Sequence, residues 1–476
     1  MLPITLLARI RIFNHLPNRH SLLNILLIST YELGHQPFGL ASPAAWLRNA
    51  GFKVNCLDLA VEPVQPEVIQ KADLIAFYVP MHTATRLAIE QFRHIKEIKK
   101  NTHFCFYGLY APMNEPYLRK LGIHTILGGE FETGLVSLCL RLRDNGNNGS
   151  NGIQPEPVVS LEKQNFVTPY RKGLPALSKY AHLCYENAPR KIVGYVEASR
   201  GCKHKCRHCP VVPVYNGRFR IVDRGVVLND IRQQVLAGAQ HITFGDPDFF
   251  NGIGHAIPII EALHDEFPDV TYDATIKIEH LLKHDQFLPT LKETGCAFVT
   301  SAVETIDNQI LTLLNKGHTR ADFLRVVNRF NELDLVLNPT FMPFTPWATL
   351  EGYRELLQML YDLNLVANVS PIQLAIRMLV PQGSKLLELE EMKKYILPFN
   401  EEKLMYEWLH GDPKVDEIQE EVFRLVMSAN NQDASRWETF TGIWDLVHQK
   451  LNLPTPNLSE IQLTTTIPYL EEPWYC

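Results

Sequence analysis

Cys202, Cys206 and Cys209 stand in the spacing C-x3-C-x2-C. Three thiols this close form a ligand set, because thiolates bind zinc and iron. A structural zinc needs a fourth ligand, usually from a second knuckle spaced C-x2-C or H-x3-H. His204 and His208 lie inside the loop, but no second knuckle follows. A ferredoxin cluster takes four cysteines in a spacing of its own. Three thiolates on a cubane of four irons leave one iron open to an external ligand.

Other residues of the same region carry chemistry at strand-like ends. Phe244-Gly245-Asp246-Pro247-Asp248-Phe249 joins a glycine to two acids, and its Asp-Pro-Asp also reads as a turn and helix cap. Lys277 and Glu279 alternate with apolar residues, which predicts that both point to one face of a strand. Opposite charges facing a barrel interior are costly unless paired or used. Glu304 sits in Ala302-Val303-Glu304-Thr305, ahead of Leu314-Asn315-Lys316-Gly317-His318-Thr319. Arg377, in an apolar run, either holds a carboxylate or belongs to a structural ion pair.

The elements that must position these residues follow from periodicity. From Ser21 onward, apolar strand-like runs (Leu23 to Ser29, Phe52 to Asp58, then ADLIAFYVP, THFCFYGL and IHTILGGE) alternate with helical stretches. That alternation predicts a doubly wound parallel sheet, whose ligands sit outside the strands' carboxyl ends. Asp144 to Gly152, DNGNNGSNG, cannot bury apolar area and reads as a linker. From Lys191 a second series begins, with strand candidates IVGYVEAS, QHITFGD, VTYDATIKI, AFVTSAVE, LVLNPTFMPF and SPIQLAIRMLV. Six strand-helix units predict a complete or partial parallel barrel. Beyond Leu386 the pattern turns helical. The predicted division is a leader over 1–20, a Rossmann-like domain over 21–143, a linker over 144–190, a barrel over 191–385 and a helical region with a tail over 386–476.

Composition limits the function. The 476 residues are 46% hydrophobic and 21% charged, which suits several globular domains. Lys and Arg number 46 against 52 Asp and Glu, a formal charge of −6 that argues against nucleic acid as the main partner. No apolar stretch approaches the ~18–20 residues that span a bilayer. In MLPITLLARIRIF the charges follow the apolar patch, the reverse of a secretory signal. Nine cysteines are too sparse for a disulfide scaffold, so a reducing, cytoplasmic setting is expected. Cys56, Cys105 and Cys139 fall in apolar runs and read as small hydrophobes, as do Cys184 and Cys296 with less context.

The cysteine loop after the first barrel strand resembles the radical S-adenosylmethionine (SAM) superfamily. Ala302-Val303-Glu304-Thr305 and Leu314 to Thr319 resemble two further blocks of that family. The resemblance implies a partial (β/α)6 barrel and a [4Fe–4S] cluster on Cys202, Cys206 and Cys209, whose open iron binds SAM. It implies reductive cleavage of SAM to a 5′-deoxyadenosyl radical, a small-molecule substrate, and an electron donor such as flavodoxin or ferredoxin. His208 stands where the family often places an aromatic residue near the adenine; the other reading is a histidine merely exposed on the loop. Gly245 and Asp246 match the family's glycine-acid motif loosely, and Lys277, Glu279, Glu304 and Arg377 become further SAM contacts.

The domain before the barrel resembles the cobalamin-binding domain of cobalamin-dependent members. That implies cobalamin contacts at Thr30, Tyr78, Gly108, Gly128, Gly129 and Glu130, although Phe131 interrupts the acid pair of Gly128-Gly129-Glu130-Phe131-Glu132. The D-x-H-x-x-G motif is absent, and the alternative is a domain that only packs on the barrel. The end, Pro473-Trp474-Tyr475-Cys476, resembles a subgroup with a cysteine- or selenocysteine-containing tail; otherwise Cys476 is incidental. The resemblance implies a transferase, by methylation or another radical group transfer. Aminocarboxypropyl transfer to a soft acceptor such as arsenic is one alternative, and a non-catalytic metal- or cobalamin-binding module is another.

Overall fold

Strands β1 (Asn24–Ser29), β2 (Lys53–Asp58), β3 (Leu74–Tyr78), β4 (His103–Tyr107), β5 (Thr125–Gly129) and β6 (Val159–Ser160) form a parallel sheet in the order β2-β1-β3-β4-β5-β6. They belong to a computed structural model that describes residues 23–145, 155–185, 188–459 and 467–471. The predicted leader, most of the Asn-Gly linker and Cys476 lie outside those residues. The chain reverses direction across the sheet between β1 and β3, the switch point of a flavodoxin-like order. Alternation within each strand covers both faces. Leu26, Ile28, Phe77 and Phe106 enter one core, while Ile25, Leu27, Ala76 and Tyr107 enter the other. A strand buried on both sides needs this unbroken apolar run.

The second sheet has the order β14-β13-β12-β11-β8-β7-β17. Its elements are β7 (His182–Cys184), β8 (Lys191–Val196), β11 (His241–Phe244), β12 (Thr271–Thr275), β13 (Cys296–Glu304) and β14 (Leu337–Phe341), while β9 (Ser199–Gly201) and β10 (Phe219–Ile221) form a separate two-stranded pair after β8. Strands β8, β11, β12, β13 and β14 run parallel, and β7 and β17 (Tyr469–Leu470) add antiparallel pairs at one edge. This is the curled sheet of a partial barrel. The helix Arg224–Leu236 follows the first unit, capped by Asp223, which accepts from Gly225 N and Val226 N. It buries Val227 and Ile231 against the sheet.

Two expectations need correction. SPIQLAIRMLV is not a sixth strand: Pro371–Leu374 forms a 3-10 turn, and only an isolated bridge joins Phe344 to Arg377. Pro371 favours the turn, and the Gln373 side chain meets Phe341 N at 3.2 Å in place of a backbone ladder bond. The region beyond Leu386 is not all helical either. Ile396–Asn400 (β15) and Met405–Trp408 (β16) pair antiparallel before the helices Pro413–Asn431 and Arg436–Lys450. Those helices insert Val415, Ile418, Val422, Phe440, Ile443 and Trp444 into the barrel core, beside the helix Leu350–Asp362 and the 3-10 turns. They close the side of the barrel that the missing strand leaves open. No helix among the described residues is long and apolar enough to cross a membrane.

Candidate functional site

The loop from Cys202 to Cys209 is held at both ends. β9 pairs with β10 in the register Gly201↔Phe219, so the loop leaves and returns through a two-stranded clamp. Gly201 takes φ +70°, and a Cβ there would lie 2.4 Å from the Arg218 carbonyl oxygen; only glycine fits. Downstream, Arg207 N donates to Leu314 O at 2.9 Å, and the Arg207 guanidinium donates to Leu313 O at 2.7 Å. The block Leu314–Thr319 therefore packs against the cysteine loop.

Cys202 and Cys206 are buried, and Cys209 is half-buried. Asn251 Nδ2 donates to Cys202 Sγ at 3.5 Å. Burial pushes the Cys209 thiol up to about 12, and the neighbouring Cys206 and Cys202 add to the rise, while the Val211 N–H and the Lys316 ammonium oppose it. Three clustered thiols, with backbone N–H groups directed at Cys202 and Cys209, suit a cationic iron-sulfur cluster that stabilises all three as thiolates. The donor set fits a [4Fe–4S] cluster with one iron free.

Glu304 ends β13 with φ +69°, beside a register shift between Ala302 and Glu304. A glutamate in the left-handed region is sparsely populated, and such strain gathers at functional sites. Its carboxylate accepts from Lys316 Nζ at 3.0 Å and from His208 Nε2 at 3.1 Å. Burial opposes ionisation, but Lys316 and His208 prevail and hold the Glu304 carboxyl well below its ordinary value. His208 Nδ1 is buried without a hydrogen-bond partner. Burial and the cations Lys316 and Lys277 lower His318 to about 4, so this imidazole stays neutral.

Lys277 and Glu279 do not lie on a strand, as predicted. β12 ends at Thr275, Lys277 precedes the helix Ile278–Lys283 and Glu279 lies in its first turn. Across the start of that helix, Lys277 Nζ reaches Glu279 Oε2 at 3.5 Å. A Cβ on Gly317 would come within 2.5 Å of that Glu279 oxygen, so the loops after β12 and β13 touch. His208, Lys277, Glu279 and Glu304 are thus brought to one end of the second sheet.

Gly245, Asp246 and Arg377 behave differently. Asp246 turns toward the loop after β8, accepting from Ala198 N at 2.9 Å and from the Ser199 hydroxyl. Burial lifts it to about 7. Gly245 leaves room for the Tyr195 hydroxyl, 1.9 Å from where a Cβ would stand. Arg377 lies over the Trp408 ring at 3.5 Å and pairs with Asp416 at 2.5 Å, so the helix Pro413–Asn431 neutralises it. Its charge belongs to a structural ion pair.

Sequence reasoning missed Arg200. Buried two residues before Cys202, it bonds Glu132 at 2.6 and 2.9 Å, reaches Glu130 at 3.5 Å and meets Glu197 at 2.7 Å. This network ties the cysteine loop to the end of β5. Its signal was the unexplained cation in Ala198-Ser199-Arg200-Gly201-Cys202, together with the acids beyond β5.

The candidate cobalamin contacts stand at the first sheet's strand ends with their groups committed within the chain. Thr30 Oγ1 donates to Ala84 O at 2.9 Å. The Tyr78 ring fills the space beside Gly39. Glu130 accepts from Tyr215 at 3.3 Å and from Gln164 at 3.2 Å. A Cβ on Gly128 would meet Pro112 at 2.1 Å, one on Gly129 would meet Ser160 O at 2.2 Å, and Gly108 abuts the Val79 carbonyl. What approaches these glycines is the chain itself.

Residues 196–359 match the family model of the Radical SAM superfamily. The hopanoid C-3 methylase of Methylococcus capsulatus (strain ATCC 33009 / NCIMB 11132 / Bath) is 25% identical over 335 residues, 66% of this chain and 63% of the methylase. A tRNA-2-methylthio-N(6)-dimethylallyladenosine synthase of Syntrophomonas wolfei subsp. wolfei is 22% identical over 320 residues, 62% of this chain and 65% of the synthase. The chain spans less than two thirds of the length of either relative. Among solved structures, the cobalamin-dependent S-adenosylmethionine radical enzyme OxsB superposes with a TM-score of 0.66 at 15% identity, covering 86% of this chain and 67% of OxsB. The radical S-adenosylmethionine methyltransferase TsrM of Kitasatospora setae superposes at 0.55 with 17% identity, covering 72% of this chain and 71% of TsrM.

Proposed function

From a chain that carries a radical SAM domain, we propose an enzyme that reductively cleaves S-adenosylmethionine and transfers a methyl-type group to a small-molecule acceptor. The observation that carries this reading is the three-thiol loop packed beside the Glu304–Lys316–His208 cluster. Cys202, Cys206 and Cys209 hold the [4Fe–4S] cluster, which when bound supplies the electron that cleaves the sulfonium of SAM. Glu304, kept anionic by Lys316 and His208, is positioned to receive hydroxyl or ammonium groups of SAM. Lys277, beside Glu279, offers a cation to a carboxylate. Neutral His318 lines the same end without adding charge. Arg200 and Asp246 act as positioning residues, fixing the approach to the cysteine loop from opposite sides.

Relatives named for methylation and methylthiolation support methyl-type transfer over aminocarboxypropyl transfer and over a non-catalytic module. The proposal extends to cobalamin on the likeness of fold to OxsB and TsrM. The residues that would meet the corrin are those at the first sheet's strand ends, Thr30, Tyr78, Gly108, Gly128, Gly129 and Glu130.

The test is anaerobic reconstitution with iron and sulfide, followed by dithionite and SAM, with products read by mass spectrometry. Release of 5′-deoxyadenosine or methylthioadenosine supports the reading. A reconstituted cluster that yields neither product overturns it.

A further inference from the structure

Asn251 reaches the cysteine loop from outside it. It lies in the 3-10 turn Phe249–Gly252 after β11, and its backbone N–H donates to Asp248 O at 3.0 Å. Phe249 and Phe250 anchor that turn in the barrel core, with the Phe249 ring 4.6 Å from that of Phe244. Asn251 itself is only 4% exposed. Its side chain is therefore held in one direction.

That direction is toward sulfur. Asn251 Nδ2 lies 3.5 Å from Cys202 Sγ, and Oδ1 lies farther away, at 4.0 Å. Which end of an amide faces a neighbour is decided by its other hydrogen bonds. Here the Lys203 N–H donates to Oδ1 at 3.2 Å, which requires oxygen at that end and leaves the NH2 facing the sulfur. The Lys203 ammonium also donates to Asn251 O at 2.6 Å. Two bonds from the residue next to Cys202 thus fix the donor against that thiol. Cys209 takes its N–H from the Val211 backbone instead, which no side-chain substitution removes.

Hydrogen bonds to the sulfurs are among the factors that set the potential of an iron-sulfur cluster. Reduction of [4Fe–4S]2+ to [4Fe–4S]+ by an external one-electron donor adds one negative charge, shared with the thiolate sulfurs, and neither makes nor breaks a bond. An N–H aimed at one of those sulfurs stabilises the more negative state more strongly. We propose, resting on the reading of Cys202 as a cluster ligand, that Asn251 is a positioning residue whose N–H···S bond raises the reduction potential of the cluster.

The test uses the full-length protein, reconstituted anaerobically with iron and sulfide in the absence of SAM. Dithionite titration followed by electron paramagnetic resonance gives the midpoint potential. N251L removes donor and acceptor together, whereas N251D keeps an oxygen for the Lys203 N–H and turns a second oxygen toward the sulfur. At a fixed solution potential the ratio of reduced to oxidised cluster should fall about tenfold in N251L, a lowering of about 59 mV for one electron, and further in N251D. Iron content and absorbance near ~400 nm should match those of the unaltered chain, which a merely structural role would not predict alongside a shifted potential. Isotopic labelling of asparagine nitrogen gives a reading that needs no variant: pulsed resonance of the reduced cluster should show a labelled nitrogen coupled to it. A loaded cluster whose potential both variants leave unchanged overturns the proposal alone, as does an uncoupled label should the variants fail to hold the cluster. A chain that takes up no four-iron cluster overturns the proposed function and this proposal with it.

Discussion

The parallel strands of the two sheets present carboxyl ends that differ in their polar groups. At the first sheet, the polar groups of Thr30 and Glu130 are bonded within the chain, and Pro112 and Ser160 crowd Gly128 and Gly129. At the second, Glu304 holds a strained backbone, and buried atoms of His208, Asp248 and His280 are left without hydrogen bonds. The first sheet also retains Ser29 Oγ, Glu32 Oε2, Asn114 Oδ1 and Gln164 Oε1 without hydrogen-bond partners, and burial raises the Glu32 carboxyl well above its ordinary value. The contrast teaches that strand ends of similar topology can differ in how far the chain itself satisfies their polar groups.

The largest expected effect tests the second sheet. Replacing Cys202, Cys206 and Cys209 with alanine should remove the cluster's absorbance near ~400 nm and reduce SAM cleavage to background. A variant that keeps its cluster would break the ligand assignment. Next is the junction between the sheets. Arg200→Met leaves Glu132, Glu130 and Glu197 buried without their cation, and removing one partner of a buried pair costs about 3–5 kcal/mol. Denaturant titration should show that loss, and Glu132→Gln alongside it should recover part of it by removing one stranded charge.

A pH effect separates the first sheet from the second. Burial lifts Asp58 to about 6, against the Tyr180 hydroxyl, which donates to it at 2.9 Å, and the Ala60 N–H. A carboxyl whose folded pKa lies above its unfolded value of ~3.9 binds more protons when folded. Its stabilising contribution is therefore complete below pH ~4 and is lost as the pH rises through about 6. At ~1.36 kcal/mol per unit the loss is on the order of 3 kcal/mol. Asp58→Asn should flatten that part of the stability–pH curve, and an unchanged slope would exclude Asp58 as its source.

Smaller effects distinguish filled from open glycines. Gly245→Ala should cost about 1–3 kcal/mol by driving a methyl into Tyr195. Gly254→Ala meets nothing within 4 Å, on a helix, and should stabilise by about 0.5–1 kcal/mol. Equal melting temperatures for the two would undo the steric reading.

Most of the architecture was legible from period and punctuation. Unbroken apolar runs such as LNILLIS can be satisfied only by burial on both faces, which is how β1 to β5 are placed. The cysteine spacing was legible because ligand geometry is local, confined to one loop. The sixth barrel strand misled because SPIQLAIRMLV is apolar enough for a strand, while Pro371 and the docking of two distant helices favour a turn. Lys277 and Glu279 misled in the same way: alternation over a few residues does not show where a strand stops and a helix starts.

What the sequence alone determined were the features carried by neighbours along the chain: two alternating α/β series, a three-thiol loop, and Glu304 ahead of Lys316. The tertiary structure decided which charges are satisfied and which are not. Arg200 meets Glu132 across 68 residues, and His204 meets His280 across 76. No local pattern encodes such pairs, because burial makes a charge seek a partner wherever the fold brings one within reach.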